Sequence, residues 1–194
     1  MLEYLVFVAA FASLAAAAAY IRSMFKGNTM PNRVTWLMWS IAPLIATAAA
    51  VSTGVTLAVL PVFMAGFSPL LIFIASFFTR KAYWKLTKVD YLCGVLSGLA
   101  LVLWYVTQEP NLAIVLAIIS DAFAAFPTLI KAWENPQTES VWPYLVGIFG
   151  PLTSFAAATV WGFSELAFPV YLIAVNCLLV SALYHKKEAN LAKT

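Results

Sequence analysis

The chain has 194 residues, of which 63% are hydrophobic and only 10% are charged. Soluble globular domains have roughly 45–50% apolar and about 25% charged residues, and one small domain has too little interior to bury so much apolar surface. The composition therefore excludes a disordered chain, a nucleic-acid-binding surface and an ordinary soluble enzyme, and it predicts an integral membrane protein. Because both cysteines lie in apolar runs and His185 is the single histidine, we expect neither a disulfide framework nor a metal site.

Seven apolar runs, each long enough to cross a bilayer as a helix, alternate with short polar segments. In the first run Glu3 is the only early charge and the basic residues follow, which predicts a retained membrane helix; a signal peptide is the alternative. The sequence thus predicts an all-α membrane protein with seven transmembrane helices. The predicted spans are Leu2–Ile21, Val34–Val51, Val55–Phe78, Val89–Thr107, Leu112–Lys131, Val141–Trp161 and Leu166–Tyr184.

The positions of the basic residues test this count, because successive loops lie on alternate sides of the membrane. All eleven Lys and Arg residues fall on one side, while the other side carries Glu3, Glu109 and Glu165. Basic loops face the cytoplasm, so we expect an outside N-terminus and a cytoplasmic C-terminus in a plasma (inner) membrane. The basic residues are Arg22, Lys26, Arg33, Arg80, Lys81, Lys85, Lys88, Lys131, Lys186, Lys187 and Lys193.

An internal repeat relates the first three spans to the last three. A shift of 108 residues aligns Pro43–Phe63 with Pro151–Tyr171 without a gap, and eight of 21 positions are identical. Chance similarity between alanine-rich helices is the alternative. A repeat of this kind predicts two parallel triple-helix units around a linker helix. We expect residues 1–88 to form the first unit, 89–111 the linker and an outer turn, 112–185 the second unit and 186–194 a cytoplasmic tail.

The end of the fifth span carries a recognisable motif. Phe126–Trp133 combines a proline near the inner helix end with a basic and an aromatic residue, and Thr138–Ser140 follows with small polar positions. With the layout of three, one and three helices, this resembles the SWEET and PQ-loop superfamily. The resemblance implies two triple-helix bundles that move a small polar solute, such as a sugar, amino acid or vitamin-like molecule, by alternating access. A receptor or sorting protein on the same scaffold is the alternative function.

Three prolines, Pro43, Pro127 and Pro151, lie inside predicted spans. A proline removes one backbone hydrogen bond and kinks the helix. The resemblance implies that these prolines are hinges for alternating access, whereas static packing is the alternative because membrane helices tolerate proline.

Asp121 lies near the middle of the fifth span, where a charged side chain costs about 2.5–3.5 kcal/mol on insertion scales. No Lys or Arg is predicted at that depth. We expect Asp121 to gain and lose a proton and to couple transport to protons. A hydrogen bond to a neighbouring helix, for example through Ser120, is the structural alternative.

Further polar and aromatic residues are candidates for a central site. Asn176 lies in the middle of the seventh span, and the 108-residue shift places Ser68 opposite it. Thr47 and Ser154 follow the repeat-related prolines by one turn. Interhelical hydrogen bonds are the alternative for such residues. Trp39 is expected to line the site, while aromatic residues nearer the interface, Trp36, Trp84, Trp133, Trp142 and Tyr184, are expected to be interfacial anchors.

Motifs for nucleotide binding or nucleophilic catalysis do not occur in this sequence, and the predicted loops are too short for a catalytic domain. We therefore expect no enzyme activity, no catalytic residues and no cofactor. The expected partners are a small-molecule solute and the lipid bilayer, not nucleic acid. The sequence leaves the oligomeric state open, a homo-oligomer included.

Overall fold

The computed structural model describes residues 2–79, 84–107 and 109–191. These ranges contain seven α-helices and four short 3-10 turns, and no β-strand occurs in them. Five helical segments are long and apolar enough to cross a membrane, which fits an all-helical membrane protein. The helices are α1 (Leu5–Phe25), α2 (Arg33–Ser52), α3 (Leu60–Ala75), α4 (Lys88–Thr107), α5 (Pro110–Glu134), α6 (Trp142–Ala157) and α7 (Phe163–Leu191).

Polar residues and glycine set the helix ends. The Asn32 side chain accepts hydrogen bonds from the first backbone N–H groups of α2, and Glu109 does the same for Leu112 at the start of α5. Such caps satisfy N–H groups that have no partner within the helix. Gly54 has a φ of 92° in the turn after α2, a conformation that glycine adopts without steric cost.

Each predicted span overlaps one helix, but several ends differ. The third predicted span is divided into α3 and flanking 3-10 turns, Leu57–Val59 and Ser76–Phe78. Helix α6 ends at Ala157, and α7 continues to Leu191, so the predicted tail begins as helix. Only the backbone is described for 186–191. Three of the basic residues counted above, Arg80, Lys81 and Lys193, lie outside the described residues, as does Gln108 of the predicted outer turn.

The helix contacts follow a two-fold pattern. Helix α3 packs between α1 and α2, and α7 packs in the same way between α5 and α6. Across the interface α1 contacts α6, and α2 contacts α5. Exchanging α1, α2 and α3 for α5, α6 and α7 leaves this pattern unchanged, as a two-fold relation between the two sets requires. Helix α4 packs against α5 and α2.

Small side chains fill the interface between α2, α5 and α7. Ala42, Ala46, Ala113 and Ala117 are buried in one cluster there, while large apolar side chains such as Phe11 are exposed on the outside. Lipid is as apolar as leucine, so membrane helices associate through close packing of small residues. The alanine-rich sequence therefore brings helices close together around the central cavity described next.

Candidate functional site

A cavity of about 90 Å³ lies between the two sets of helices. It has room for several water molecules and is only partly enclosed. Residues of α1, α2, α3, α5, α6 and α7 line it, and none of its lining residues is Lys, Arg or His. Four side chains proposed from the sequence lie on it together: Trp39, Ser68, Asp121 and Asn176.

Asp121 is 2% exposed and is the acidic residue among those that line the cavity. Tyr171 of α7 donates a hydrogen bond of 2.7 Å to its Oδ2 atom, and its Oδ1 atom has no hydrogen-bond partner. A hydrogen bond to a neighbouring helix, the structural alternative for Asp121, is therefore present, but it comes from Tyr171 and not from Ser120, whose hydroxyl makes no hydrogen bond. Sequence reasoning missed Tyr171 because a tyrosine among apolar residues is typical of any membrane helix.

Asn176 bridges α7 and α6. Its Nδ2 group donates to the backbone oxygen of Leu172 at 2.8 Å and to that of Gly147 at 3.3 Å. Pro151 lies four residues after Gly147 and lacks the N–H group that would bind this carbonyl in a regular helix. Asn176 thus supplies the donor that the proline removes.

The repeat partner of Asn176 also lines the cavity. Ser68 is 9% exposed, and its hydroxyl has no hydrogen-bond partner. A second pair behaves alike, because the 108-residue shift relates Asp121 to Ser13, and Ser13 lines the cavity as well. Equivalent positions of the two sets therefore meet at one site but carry different side chains.

Aromatic rings form the wall of the cavity at the end where α1 and α5 finish, here named the basic end. Trp36 contacts Tyr20 and Trp39, and Trp39 contacts Tyr144, with ring centroids 4.9–6.2 Å apart. The prediction that Trp36 is an interfacial anchor is wrong, since it is 2% exposed and lines the cavity. The indole Nε1 of Trp39 has no hydrogen-bond partner.

Two other proposed ligands lie away from the cavity. Thr47 and Ser154 are not among its lining residues, and the hydroxyl groups of both are buried without a hydrogen-bond partner. Each lies one turn beyond its proline, and in the folded helices that turn is past the cavity. They do not line the cavity in this conformation, and their contact with a solute stays a prediction.

The proposed hinge prolines lie within unbroken helices, Pro43 in α2, Pro127 in α5 and Pro151 in α6. Only Pro151 of these three is among the lining residues of the cavity. Sequence reasoning did not assign Pro61 and Pro69 of α3 to the site, although both line it. The repeat offered a signal for Pro61, which aligns with Pro169.

A buried polar cluster joins four segments at the basic end. The Lys131 ammonium lies 2.6 Å from the Glu139 carboxylate, and both side chains are almost fully buried. Tyr20 of α1 and Tyr144 of α6 donate to the other Glu139 oxygen at 3.2 and 3.1 Å. Lys131 also donates to the Met30 carbonyl. Sequence reasoning treated Glu139 as a small-polar motif position and missed this cluster, because Tyr20 and Met30 are more than 100 residues away from their partners in the sequence.

Among the described residues no group of three or more His, Cys, Asp and Glu is arranged to hold a metal ion. Comparison of the chain with protein-family models, curated proteins and solved structures found no match. The functional argument therefore depends on the geometry of the cavity itself.

Proposed function

We propose that the chain is a seven-span membrane transporter of SWEET-like arrangement that moves a small polar solute by alternating access. One observation carries the proposal: a largely apolar cavity, with Ser68, Asp121 and Asn176 on its wall, lies between two sets of three helices whose contacts obey a two-fold relation. Solute sites of repeat-built transporters lie at the interface of their repeats near mid-membrane. Ser68 and Asn176 hold equivalent positions on the two sides of this interface.

The proposal includes α4 and α6 as membrane spans beside the five apolar segments. With 20 residues, α4 is about 30 Å long at 1.5 Å per residue, the thickness of a hydrocarbon core. Its outward face is apolar, with exposed Tyr91, Leu99 and Val106. The shorter α6 is followed by exposed Val160 and Trp161, which suit the membrane interface. Seven spans put the basic loops on the cytoplasmic side, with the N-terminus outside.

Alternating access requires a barrier that opens on each side in turn. We assign the barrier at the basic end to the Lys131–Glu139 pair and the two tyrosine hydroxyls that bind Glu139. In the proposed orientation this is the cytoplasmic end. Four segments must separate there for the solute to leave, and Pro43, Pro127 and Pro151 are the proposed hinges.

Asp121 is the proposed proton carrier, because it is a buried carboxyl on the cavity with one oxygen lacking a hydrogen-bond partner. Helices α2, α4 and α7 pack against α5. Tyr171 is the titratable group of α7 that contacts the carboxyl. Arg33 of α2 donates to Ser76, Asp90 of α4 accepts from Asn32 and Thr87, and Lys88 at the start of α4 is exposed.

The test is uptake of a panel of labelled solutes into proteoliposomes that contain the purified chain, with and without a pH gradient. We expect uptake of at least one solute above that of empty liposomes and stimulation by the gradient in the parent chain. Asp121→Asn removes the stimulation, while Glu109→Gln, an exposed acid outside the cavity, retains it. Equal pH dependence in Asp121→Asn and the parent refutes proton coupling, and no uptake of any solute refutes transport.

A receptor without transport is the remaining alternative on this scaffold. It requires a pocket open to one side and rimmed by charge, but neither member of the charged pair Lys131–Glu139 lines the cavity. Solute binding without uptake in the same liposomes favours the receptor.

A further inference from the structure

We propose that the cavity selects a small monovalent organic cation, and that this cation and a proton compete for the carboxylate of Asp121. The inference rests on the proposed function, because it names the class of solute that the same site takes. Three independent features of the lining lead to it: the balance of charge, the set of hydrogen-bond acceptors and the aromatic wall.

The cavity lining carries an acidic group without a basic one. Asp121 is its acidic residue, and no basic residue lines the cavity. The Lys131 ammonium at the basic end is already paired with Glu139 at 2.6 Å. A buried carboxylate needs a counter-charge, and within the lining only a bound cation or a proton supplies it. An anionic solute meets repulsion there instead.

Most of the polar atoms left without a partner on the lining are acceptors, and the exception is the Trp39 indole N–H, which donates. Oδ1 of Asp121 has no hydrogen-bond partner. Asn176 uses its amide donors on two backbone carbonyls, so its carbonyl oxygen remains as an acceptor. The Ser68 hydroxyl, also without a partner, donates or accepts as required. A sugar needs donors and acceptors in balance, whereas here the Asp121 and Asn176 oxygens outnumber the Trp39 N–H, and one of these acceptors belongs to a carboxyl, which favours a solute that carries positive charge.

Aromatic faces complete the site. Trp36, Trp39 and Tyr144 line the cavity, and indole is the best ring for holding a cation over its face. Rings of this kind also accept the apolar body of an amine. With a cavity of about 90 Å³, the site suits a solute on the order of ten non-hydrogen atoms or fewer.

Because the cation and the proton bind the same Asp121 carboxylate, the proposed transporter exchanges one for the other. Binding of a monovalent cation to Asp121 releases one proton, and protonation of Asp121 releases the cation, so charge balances at each step. Tyr171 remains bonded to Oδ2 in both states and does not itself exchange a proton. Each half-cycle then carries one cation in one direction or one proton in the other.

The test compares choline with 3,3-dimethylbutan-1-ol, which has the same shape with carbon in place of the charged nitrogen. Calorimetric titration of the solubilised full chain measures binding, and proteoliposome uptake measures transport. We expect choline or ethanolamine to bind at least about tenfold more tightly than the neutral isostere. In the pH range where Asp121 is mostly protonated, we expect the affinity for the cation to fall about tenfold for each unit by which the pH is lowered.

Matched variants locate the effect. Asp121→Asn keeps an oxygen that accepts from Tyr171, and it is expected to lose the preference for cations, while Glu109→Gln retains it. Thermal unfolding checks that both variants are folded; the comparison of isosteres and the pH dependence in the parent chain need no variant.

The outcomes separate the two proposals. Transport of neutral solutes with no preference for cations overturns the cation site and leaves transport standing. Cation binding that weakens at low pH, without any uptake, supports the site and contradicts transport. Choline affinity independent of pH overturns competition at Asp121.

Discussion

Pro151 and Asn176 act on the same backbone carbonyl, that of Gly147. The proline removes the N–H group that would bind it within α6, and Asn176 of α7 donates to it at 3.3 Å. In the first set of helices Pro43 frees the carbonyl of Trp39 in the same way, but the side chain at the position of Asn176 is the shorter Ser68. The asparagine is thus both a lining residue and the bond that joins α7 to the proline kink.

Gly147→Ala tests the position of the Asn176 amide. An added methyl group at Gly147 would lie 2.5 Å from Asn176 Oδ1 and 2.7 Å from its Cγ, so the amide must move. Because the far end of a flexible side chain gives way, we expect a modest loss of stability, about 1–3 kcal/mol. Ligand affinity in calorimetric titration falls by about tenfold, the equivalent of one good hydrogen bond.

Gly98→Ala is the matched control, since a methyl group there meets no atom within 4 Å. It is expected to leave affinity unchanged and to stabilise α4 by about 0.5–1 kcal/mol. Parent-like affinity in a folded Gly147→Ala variant contradicts a role for Asn176 in binding.

Tyr171→Phe tests the hydrogen bond to Asp121. The phenol stabilises the charged carboxyl that a bound cation needs, and a hydrogen bond to a charged group contributes about 1.5–3 kcal/mol. Its loss favours protonation, so we expect the pH of half-maximal cation uptake to rise by about one unit or more. The measurement is the pH profile of uptake into proteoliposomes.

Tyr91→Phe is the control for this change, because Tyr91 is an exposed tyrosine of α4 that does not line the cavity. Its pH profile is expected to match that of the parent chain. An unshifted profile in Tyr171→Phe means that Asp121 does not set the pH dependence.

The helices and several lining residues follow from one-dimensional patterns. Apolar runs of about 20 residues predict helix positions, and the 108-residue shift by itself relates Ser68 to Asn176. Asp121 stands out because a carboxyl inside an apolar run is costly in the membrane, so it indicates either a hydrogen-bond partner or a functional role.

The remaining features depend on which helix faces meet, and periodicity does not encode that. Trp36 and Trp39 share one helix face, but only the approach of α1 and α6 shows that Trp36 is buried. Thr47 and Ser154 are as polar as Ser68, yet they lie beyond the cavity. Lys131 and Tyr144 lie within eight residues of Glu139 in the sequence, but Tyr20 is 119 residues away, so its place in the cluster depends on how α1 packs.

Glu139→Gln tests the closed basic end. The change leaves the Lys131 ammonium buried without its counter-charge, and breaking a buried pair in this way costs about 3–5 kcal/mol. We expect the unfolding temperature in detergent to fall by roughly 6 °C or more. Glu3→Gln, at an exposed position, is expected to shift it by less than about 2 °C. A parent-like unfolding temperature for Glu139→Gln means that the pair does not hold this end closed.

Pro43→Ala and Pro151→Ala test whether the prolines are hinges or static kinks. Each change restores an intrahelical hydrogen bond, and alanine is about 3 kcal/mol more favourable than proline within a helix. A hinge whose carbonyl is newly bonded bends less readily, so we expect both variants to unfold at higher temperature and to transport about tenfold more slowly or worse.

Pro110→Ala provides the control, because Pro110 is the first residue of α5. The N–H group at that position has no partner within a helix, so a proline there removes no hydrogen bond. Its uptake rate is expected to equal that of the parent chain. Parent-like uptake by Pro43→Ala and Pro151→Ala at equal protein levels would show that the kinks are static. In that case the exchange of access must come from rigid movement of the two helix sets about the α1–α6 and α2–α5 contacts.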